Sequence, residues 1–283
     1  MKIGIIGNGF VGKATKILES EGIEILCYDI DPKLCVPEGT TLHDLCINCD
    51  IIFISVPTPM NTDGSCYLKI VESVVSDISK FVDLDKKIIV IRSTIPAGTS
   101  KRLNCYFMPE FLTEKNFEYD FINNPEWIFG LKGTQQDDEF KKQITHMINV
   151  AHYNNKIKYD NVTFVTNSEA EMIKLFRNTY LATKIGYCNE IYEFCQKSGL
   201  DYDVIRNIAT RDDRIGQSHS MVPGHDGRKG FGGTCFPKDI NNLSCEMKKI
   251  GMKSYIIDAV IERNETVDRP ENDWKLDKGR ATV

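Results

Sequence analysis

The chain has 283 residues, and its 40 acidic and 35 basic side chains give a formal net charge of −5 at pH 7. Hydrophobic residues make up 41% and charged residues 27% of the sequence, a balance typical of globular proteins that excludes a disordered chain or a fibre. The mild acidity argues against a main role in binding nucleic acid or anionic membrane, because both need a basic surface. The length predicts one large domain or two ordinary ones.

Ten cysteines are present, but the sequence shows no secretory signal and no apolar run of the ~20 residues that a membrane span requires. We therefore expect thiols rather than disulfides, in a reducing cytoplasmic compartment. Cys46 and Cys49 have CxxC spacing, but neither a second pair nor a histidine at zinc spacing accompanies them. No metal site is predicted.

The first half of the chain alternates short apolar runs with segments of helical periodicity. The predicted strands are Lys2–Ile6, Ile23–Tyr28, Ile51–Ser55, Lys87–Ile91, Trp127–Gly130 and Asn161–Val165. The predicted helices between them include Val11–Glu21, Cys66–Phe81 and Asp137–Ala151. Continuous apolar strands separated by helices indicate an α/β fold, with a doubly wound parallel sheet covered by helices on both faces.

A long helix is predicted to open the second half of the chain. Ser168 is a candidate N-cap with Glu171 at capping-box spacing, and the helix runs to about Lys197 and stops at Gly199. One apolar stripe runs along this helix, because its members are 3, 4 or 7 residues apart. They are Ile173, Phe176, Tyr180, Tyr187, Ile191 and Phe194. This helix is expected to be the centre of an all-helical domain.

The remaining predicted helices are Asp201–Ala209, Pro237–Ile250 and Ser254–Val267. A polar, glycine-rich loop from 211 to 233 separates the first of them from the second. The last stretch, 270–283, is polar and is expected to be peripheral. We place the domain boundary near 165, so that a Rossmann-like domain of residues 1–165 precedes a helical domain of residues 166–283.

The segment Gly7-Asn8-Gly9-Phe10-Val11-Gly12 has the GxGxxG pattern between a predicted strand and a predicted helix, which is the context of a dinucleotide site. Gly7 permits the tight turn, Gly9 lets the backbone approach a pyrophosphate, and Gly12 lets the helix pack closely. Asp29 ends the second strand, where a carboxylate accepts from ribose hydroxyls and repels a 2′-phosphate. The pattern predicts NAD rather than NADP; the alternative is a glycine turn that binds no nucleotide.

Two further turns follow predicted strands, at the edge where open α/β sheets bind ligands. They are Val56-Pro57-Thr58-Pro59 and Ser93-Thr94-Ile95-Pro96. Their prolines stiffen the turns and present Thr58 and Thr94, although both segments also fit turns without a ligand. Lys33, which follows the Asp29 strand, is a candidate for contact with the adenosine ribose.

The segment from Phe231 to Asp239, FGGTCFPKD, is the most informative stretch of the sequence. Glycines leave the backbone open before Cys235, and Pro237 suits the first turn of a helix. A thiol at a helix N-terminus has a lowered pKa and is a better nucleophile. Asp239, one helical turn farther on, is placed to reach a water or a proton near the sulfur. The alternative is that Cys235 is one of several buried thiols without chemistry.

Six segments in order resemble the UDP-glucose/GDP-mannose dehydrogenase family over nearly the whole chain. They are Gly7–Gly12, Ser93–Pro96, Pro109–Leu112, Lys174–Leu181, Asp213–Gly216 and Gly232–Asp239. The cysteine segment is highly specific to this family, whereas many enzymes share the dinucleotide pattern.

The resemblance implies that an alcohol at C6 of a nucleotide sugar is oxidised twice to a carboxylate, with two NAD⁺ reduced and no free aldehyde released. UDP-glucose is the favoured substrate and GDP-mannose the alternative. In this family a cysteine adds to the aldehyde to give a thiohemiacetal, which is oxidised to a thioester and then hydrolysed. Cys235 occupies that position.

The resemblance also assigns roles to other residues. Lys174 and Asn178, one helical turn apart, would hold the oxyanion, while Asp239, Glu114 and Thr94 would position or activate water. The predicted cofactor-binding residues are Gly7, Gly9, Phe10, Val11, Gly12, Asp29, Lys33, Thr58, Thr94, Glu114 and Lys238. The predicted substrate-binding residues are Glu110, Phe111, Leu112, Lys174, Asn178, Arg214 and Gly232.

Family members usually have a third, C-terminal α/β domain, and this sequence has no counterpart of it after the helix near 260–269. A natural short enzyme, a fragment, and a domain supplied by another protein all stay open. The family forms dimers through its central domain, so we expect a homodimer. Two other readings remain: a β-hydroxyacid dehydrogenase, which shares the GxGxxG and Lys-x-x-x-Asn patterns but needs no thiol, and a non-catalytic protein that binds NAD or a nucleotide sugar.

Overall fold

The computed structural model describes all 283 residues and divides into two compact units. The first comprises Met1–Thr58 and Leu68–Lys174, and the second comprises Pro59–Tyr67 and Leu175–Val283. None of the ten cysteines forms a disulfide. No helix combines the length and the apolar character that a membrane span requires.

The first unit is built on a seven-stranded sheet with the strand order β2-β1-β3-β4-β5-β6-β7. The strands are β1 (Lys2–Ile6), β2 (Glu24–Tyr28), β3 (Ile51–Ile54), β4 (Ile88–Ile91), β5 (Tyr106–Phe107), β6 (Trp127–Leu131) and β7 (Val162–Thr166). From β1 the chain passes to β2 on one side and then to β3 on the other. In such sheets a ligand binds in the crevice outside the carboxyl ends of the two strands at the reversal, here β1 and β3.

Ten helices complete the chain. They are α1 (Phe10–Lys16), α2 (Leu42–Asn48), α3 (Lys69–Ser79), α4 (Thr99–Arg102), α5 (Phe117–Ile122), α6 (Asp137–Tyr153), α7 (Asn167–Ser198), α8 (Tyr202–Ala209), α9 (Phe236–Lys249) and α10 (Ile256–Arg263). Every residue of β3 and β4 is buried, as expected for central strands of a sheet that is covered on both faces. The α/β fold class predicted from the sequence is confirmed.

The sheet differs from the prediction in one respect, because β6 pairs with β5 in the antiparallel sense while the other pairs are parallel. The sequence predicted no strand at Tyr106–Phe107, whose two residues are too few to show a strand pattern. Between β5 and β6 the longest helix is α5, with six residues, whereas the 17-residue α6 connects the parallel strands β6 and β7. A helix of six residues spans only about 9 Å and does not return the chain along the sheet.

The start of α7 also differs from the prediction. Thr166 and Glu169, rather than Ser168 and Glu171, form the reciprocal cap: Thr166 N–H donates to the Glu169 carboxylate at 2.8 Å, and Glu169 N–H donates to Thr166 Oγ1 at 3.3 Å. The Glu171 carboxylate is instead fully buried and accepts from two backbone N–H groups at the start of α4, Gly98 at 2.5 Å and Ser100 at 2.8 Å. Burial raises the pKa of Glu171 despite these bonds.

The second unit consists of α7 from Leu175 onward, α8–α10 and the short segment 59–67. Its two apolar clusters are centred on Cys188, Cys195, Tyr202 and Val222, and on Ala182, Phe231 and Ile240. The C-terminal stretch is part of this unit and is not peripheral, contrary to the expectation. Trp274 and Ala281 are buried, and Met60 exchanges backbone hydrogen bonds with Ala281 at 2.9 Å and Val283 at 3.0 Å. The polar composition of this stretch gave the wrong prediction because only a few of its residues make the contacts with the rest of the unit.

Candidate active site

The glycine turn after β1 has the geometry of a backbone cradle. Gly7 has φ +88°, and a Cβ there would lie 2.6 Å from the carbonyl oxygen of Ser55. A Cβ on Gly12 would collide with the carbonyl oxygen of Gly7, so both positions require glycine. A Cβ on Gly9, by contrast, would meet nothing within 4 Å. The turn is therefore closed toward the protein and open on its outer side, at Gly9.

Asp29 is held beside this turn. Its carboxylate accepts from the backbone N–H of Asn8 at 2.7 Å and from that of Asp31 at 3.0 Å. These bonds connect the glycine turn to the end of β2. Lys33 follows in an exposed 3₁₀ turn, and the side chains of Phe10 and Val11 on α1 are partly exposed.

The two proline-containing turns after β3 and β4 are bonded to each other. Thr58 Oγ1 donates to the carbonyl oxygen of Thr94 at 2.8 Å, and Ser93 Oγ donates to that of Val56 at 2.6 Å. Both threonines are buried. The structure thus brings together two predicted site residues, Thr58 and Thr94, that are 36 positions apart in the sequence.

Glu110 and Lys174 form a buried ion pair in the first unit, with 2.7 Å between Nζ and Oε1 and exposures of only 5% and 3%. The second carboxylate oxygen of Glu110 accepts from the backbone N–H of Leu112 at 2.8 Å, and the Lys174 ammonium lies 5.7 Å from the centre of the Phe111 ring. Burial alone would raise the pKa of Glu110. The opposite effect is larger, because the charge and hydrogen bond of Lys174, the Leu112 N–H and the charge of Arg92 all lower this pKa, so the net shift is downward. The Glu110 carboxyl group is therefore ionised at neutral pH.

Arg92 is a buried member of this group that the sequence analysis missed. It donates to the carbonyl oxygen of Val11 at 3.3 Å and to the hydroxyl of Thr15, both on α1. Burial lowers the pKa of its guanidinium to about 10, while the charge of Glu110 opposes that shift. The only local signal was its position, a charged residue between the apolar run of β4 and the predicted turn at Ser93–Pro96.

Glu114, unlike Glu110 and Lys174, is a surface residue. It is exposed and begins a short 3₁₀ turn, Glu114–Asn116. Leu112 and Phe111 are partly exposed.

In the second unit, Cys235 stands at the start of α9, as the sequence predicted, and is partly exposed. Three residues farther on, Lys238 Nζ donates to the Asp239 carboxylate at 2.5 Å. The other oxygen of Asp239 accepts from Asn178 Nδ2 at 2.6 Å. Asp239 is completely buried, so its carboxylate is engaged by a lysine and an amide.

Lys238 connects this acid to the thiol electrostatically. Its burial lowers the ammonium pKa, but the negative charges of Asp239 and Cys235 raise it by more, so the pKa lies above that of an ordinary lysine. The favourable interaction is mutual, because an ammonium that is stabilised by a thiolate also stabilises that thiolate. In the cluster of Cys235, Lys238, Asp239 and Asn178, the thiol thus interacts with a lysine whose ammonium is bonded to a buried carboxylate.

Two predicted substrate residues lie on loops of the second unit. Arg214 is exposed and pairs with Asp212 at 2.5 Å, in a turn whose carbonyl groups at Ile215 and Gly216 accept from Lys184. Gly232 packs against the guanidinium of Arg269: a Cβ at Gly232 would lie 2.5 Å from Cζ.

Comparison with known proteins supports the family resemblance that the sequence motifs indicated. Residues 38–148 match the NAD binding domain of the UDP-glucose/GDP-mannose dehydrogenase family, and residues 168–266 match the central domain of that family. UDP-glucose 6-dehydrogenase of Campylobacter jejuni is 30% identical over 94% of this chain, which spans 72% of that relative.

Two solved structures share the fold. A UDP-glucose dehydrogenase from Pyrobaculum islandicum has a TM-score of 0.79 at 23% identity. The superposition covers 94% of this chain and 68% of the Pyrobaculum chain. The 3-hydroxyisobutyrate dehydrogenase of Mycobacterium tuberculosis has a TM-score of 0.67 at 12% identity. That superposition covers 99% of this chain and 96% of the Mycobacterium chain. At such identities the likeness shows the fold alone.

NAD is the cofactor of the matched domain. The residues at the carboxyl end of β1 fit a dinucleotide, since the backbone at Gly9 is open where a pyrophosphate must approach and Asp29 is fixed at the end of β2.

Proposed function

The chain belongs to the UDP-glucose/GDP-mannose dehydrogenase family, and on that premise we propose that it oxidises the C6 alcohol of UDP-glucose in two steps to UDP-glucuronate. The observation that carries this proposal is the placement of Cys235 at the start of α9 beside Lys238, with Asp239 and Asn178 behind it. A protein that only bound NAD or a nucleotide sugar would need no such thiol.

Each oxidation removes a hydride from C6 and a proton from the oxygen bonded to it; NAD⁺ would accept the hydride, and a water in the site takes the proton. After the first, the Cys235 sulfur adds to the C6 aldehyde: a C–S bond forms, the carbonyl electrons move to oxygen, and that oxygen takes a proton. The second oxidation converts this thiohemiacetal to a thioester. Water then adds to the acyl carbon, the C–S bond breaks, and the thiol and a carboxylate result.

In this proposal Lys174 and Asn178, which are four residues apart in α7, stabilise the oxyanion that develops in these intermediates. Glu110 orients the Lys174 ammonium through the buried ion pair. Asp239, Glu114 and Thr94 position or activate water in this proposal, and Asp239 also orients Lys238 and Asn178. The other cofactor and substrate contacts named from the sequence, including Lys33, Thr58, Arg214 and Gly232, remain part of it.

We further propose that two copies associate through the second unit. Four aromatic side chains at helical spacing on α7 are exposed by more than half: Phe176 at 64%, Tyr180 at 55%, Tyr187 at 65% and Phe194 at 60%. A chain that functioned alone would rarely leave such an apolar stripe in water. A second copy supplies an identical stripe, as a two-fold interface requires. The cytoplasm remains the proposed location, since ten thiols suit a reducing compartment.

Counting NADH per sugar tests the oxidation directly. With NAD⁺ in excess we expect two NADH for each UDP-glucose consumed, and a smaller turnover or none with GDP-mannose. The reverse preference would identify GDP-mannose as the substrate. One NADH from a hydroxyacid, or none from any nucleotide sugar, would contradict the proposal; the first result would favour the β-hydroxyacid dehydrogenase class, whose fold is similar.

Cys235→Ser tests the thioester. The variant should lose steady-state turnover, because a serine oxygen is a poorer nucleophile and leaving group than sulfur. Cys245→Ser is the matched control, since Cys245 is also a partly exposed thiol of α9 and should leave two NADH per sugar unchanged. Full activity in Cys235→Ser would refute the role of the sulfur.

A further inference from the structure

The backbone that leads to Cys235 is held by a side chain from the C-terminal end of the chain. Asn264 Nδ2 donates to the carbonyl oxygen of Phe231 at 3.0 Å, and the N–H of Phe231 donates to Asn264 Oδ1 at 2.8 Å. One buried amide thus satisfies both polar backbone groups of a single residue. Asn264 is 1% exposed and begins a π-helical turn, Asn264–Asp268, that follows α10. Such wide turns occur frequently at functional sites.

The two neighbours of Phe231 are held as well. The N–H of Gly230 donates to Asn189 Oδ1 at 3.2 Å. Gly232 lies against the guanidinium of Arg269, which is itself fixed by Asp273 at 2.5 Å and Asp226 at 2.6 Å.

Three consecutive residues, 230–232, are therefore each contacted by a side chain from elsewhere in the second unit, immediately before the thiol. Only Gly233 and Thr234 separate them from Cys235, and Thr234 Oγ1 lies 3.7 Å from the Cys235 sulfur. Arg269 is itself buried, and its guanidinium is paired with two carboxylates that are partly exposed, those of Asp226 and Asp273.

We propose that Asn264 and Arg269 are positioning residues that hold the backbone of 230–232 and thereby keep the Cys235 sulfur beside the Lys238 ammonium. The inference deepens the proposed function and rests on it, because the position matters catalytically only if Cys235 is the nucleophile. Neither side chain is required to touch substrate or cofactor. Their effect is to fix the position of the thiol at the start of α9, because a thiolate is stabilised at a helix N-terminus and beside a lysine.

The rate at which iodoacetamide alkylates Cys235, followed against pH, tests this directly. Tryptic cleavage after Lys229 and Lys238 isolates Cys235 on a peptide with no other cysteine, and Cys245 on the following peptide serves as an internal reference. In Asn264→Ala we expect the pH midpoint for Cys235 to move upward and that for Cys245 to stay. We also expect kcat to fall about 10- to 100-fold, as a displacement of about 1 Å causes, with KM for NAD⁺ unchanged.

Asn167→Ala is the matched control for a loss of stability alone. Asn167 is also buried and donates to a backbone carbonyl, that of Cys105 at 2.8 Å, but it belongs to the first unit. This variant should lower Tm without moving the Cys235 midpoint. If Asn264→Ala lowers Tm and leaves the midpoint where it is in the unaltered protein, Asn264 is merely structural and the proposal is wrong.

Asn264→Asp covers the case in which the alanine variant does not fold. The carboxylate still accepts from the Phe231 N–H but no longer donates to its carbonyl, so an upward shift supports the proposal and an unchanged midpoint overturns it. Because alkylation needs no substrate, its outcome stands even if the protein oxidises no nucleotide sugar. In that event the proposed function fails while the positioning of Cys235 is decided separately.

Discussion

At the residue scale, the buried carboxylate of Glu110 faces two cations, the ammonium of Lys174 and the guanidinium of Arg92. Burying charges is costly, and such a group is tolerated only when the partners remain together with good hydrogen bonds. Glu110 meets that condition through Lys174 and the Leu112 N–H. Its function in the proposed reaction is indirect, since it holds the Lys174 ammonium in place.

Replacing Glu110 by Gln removes the carboxylate and leaves both cations buried. We expect the free energy of unfolding at pH 7 to fall by about 3–5 kcal/mol, the usual cost of removing one partner from a buried pair. Urea unfolding at pH 7 measures this change. Asp77→Asn is the control, because the Asp77–Lys80 pair is exposed and its loss should change the stability very little.

The pH dependence of the same comparison follows from the lowered pKa of Glu110. A carboxyl group whose folded pKa lies below its unfolded value contributes stability above the unfolded value, about 4.3, and loses that contribution as the pH falls through the folded pKa. The difference between the two proteins should therefore be largest near neutral pH and shrink in acid. Equal stability at pH 7 would mean that the Glu110 carboxylate does not stabilise the folded protein.

At the scale of elements, the sequence predicted those features that contiguous residues determine. The glycine turn, the central strands and the start of α9 at Cys235 each depend on neighbouring residues. The N-cap of α7 was predicted wrongly as Ser168 with Glu171, because this pair has the same capping-box spacing as Thr166 with Glu169, which form the observed cap. Tertiary structure determines which glutamate caps the helix. The Glu171 carboxylate accepts hydrogen bonds from buried N–H groups at the start of α4, so it does not cap α7.

Paired alanine substitutions test which residue caps α7. Thr166→Ala should lower the free energy of unfolding by about 1 kcal/mol, since it removes the side-chain oxygen that accepts from the N–H of Glu169. Ser168→Ala should have almost no effect, because Ser168 is exposed within the first turn and alanine favours a helix. A larger loss in Ser168→Ala than in Thr166→Ala would contradict the observed cap.

Contacts between distant segments explain the residues that the sequence did not predict. Arg92 is 81 positions from the carbonyl that it contacts on α1, and Asn264 is 33 positions from Phe231. No local spacing distinguishes such residues from ordinary surface arginines and asparagines. Their significance depends on burial, which is a property of the folded unit.

At the scale of the whole molecule, the apolar stripe of α7 has a different role from the one that its spacing first suggests. Helical spacing of apolar residues normally marks the face that packs on the core. Here Phe176, Tyr180, Tyr187 and Phe194 remain exposed, whereas Cys188 and Cys195 of the same helix are buried. The helix thus packs one face within its own unit and presents another, aromatic face outward.

A charge in the middle of that outward face should prevent association of two copies. On the proposal that two copies associate through this face, we expect the unaltered protein to sediment as a dimer and Tyr187→Glu as a monomer at the same concentration, because a two-fold interface would bury two facing carboxylates. Tyr153→Glu is the control: Tyr153 is 86% exposed but lies at the end of α6 in the first unit, so the dimer should persist. A dimer that survives Tyr187→Glu would place the interface elsewhere, and the aromatic face would then need another partner.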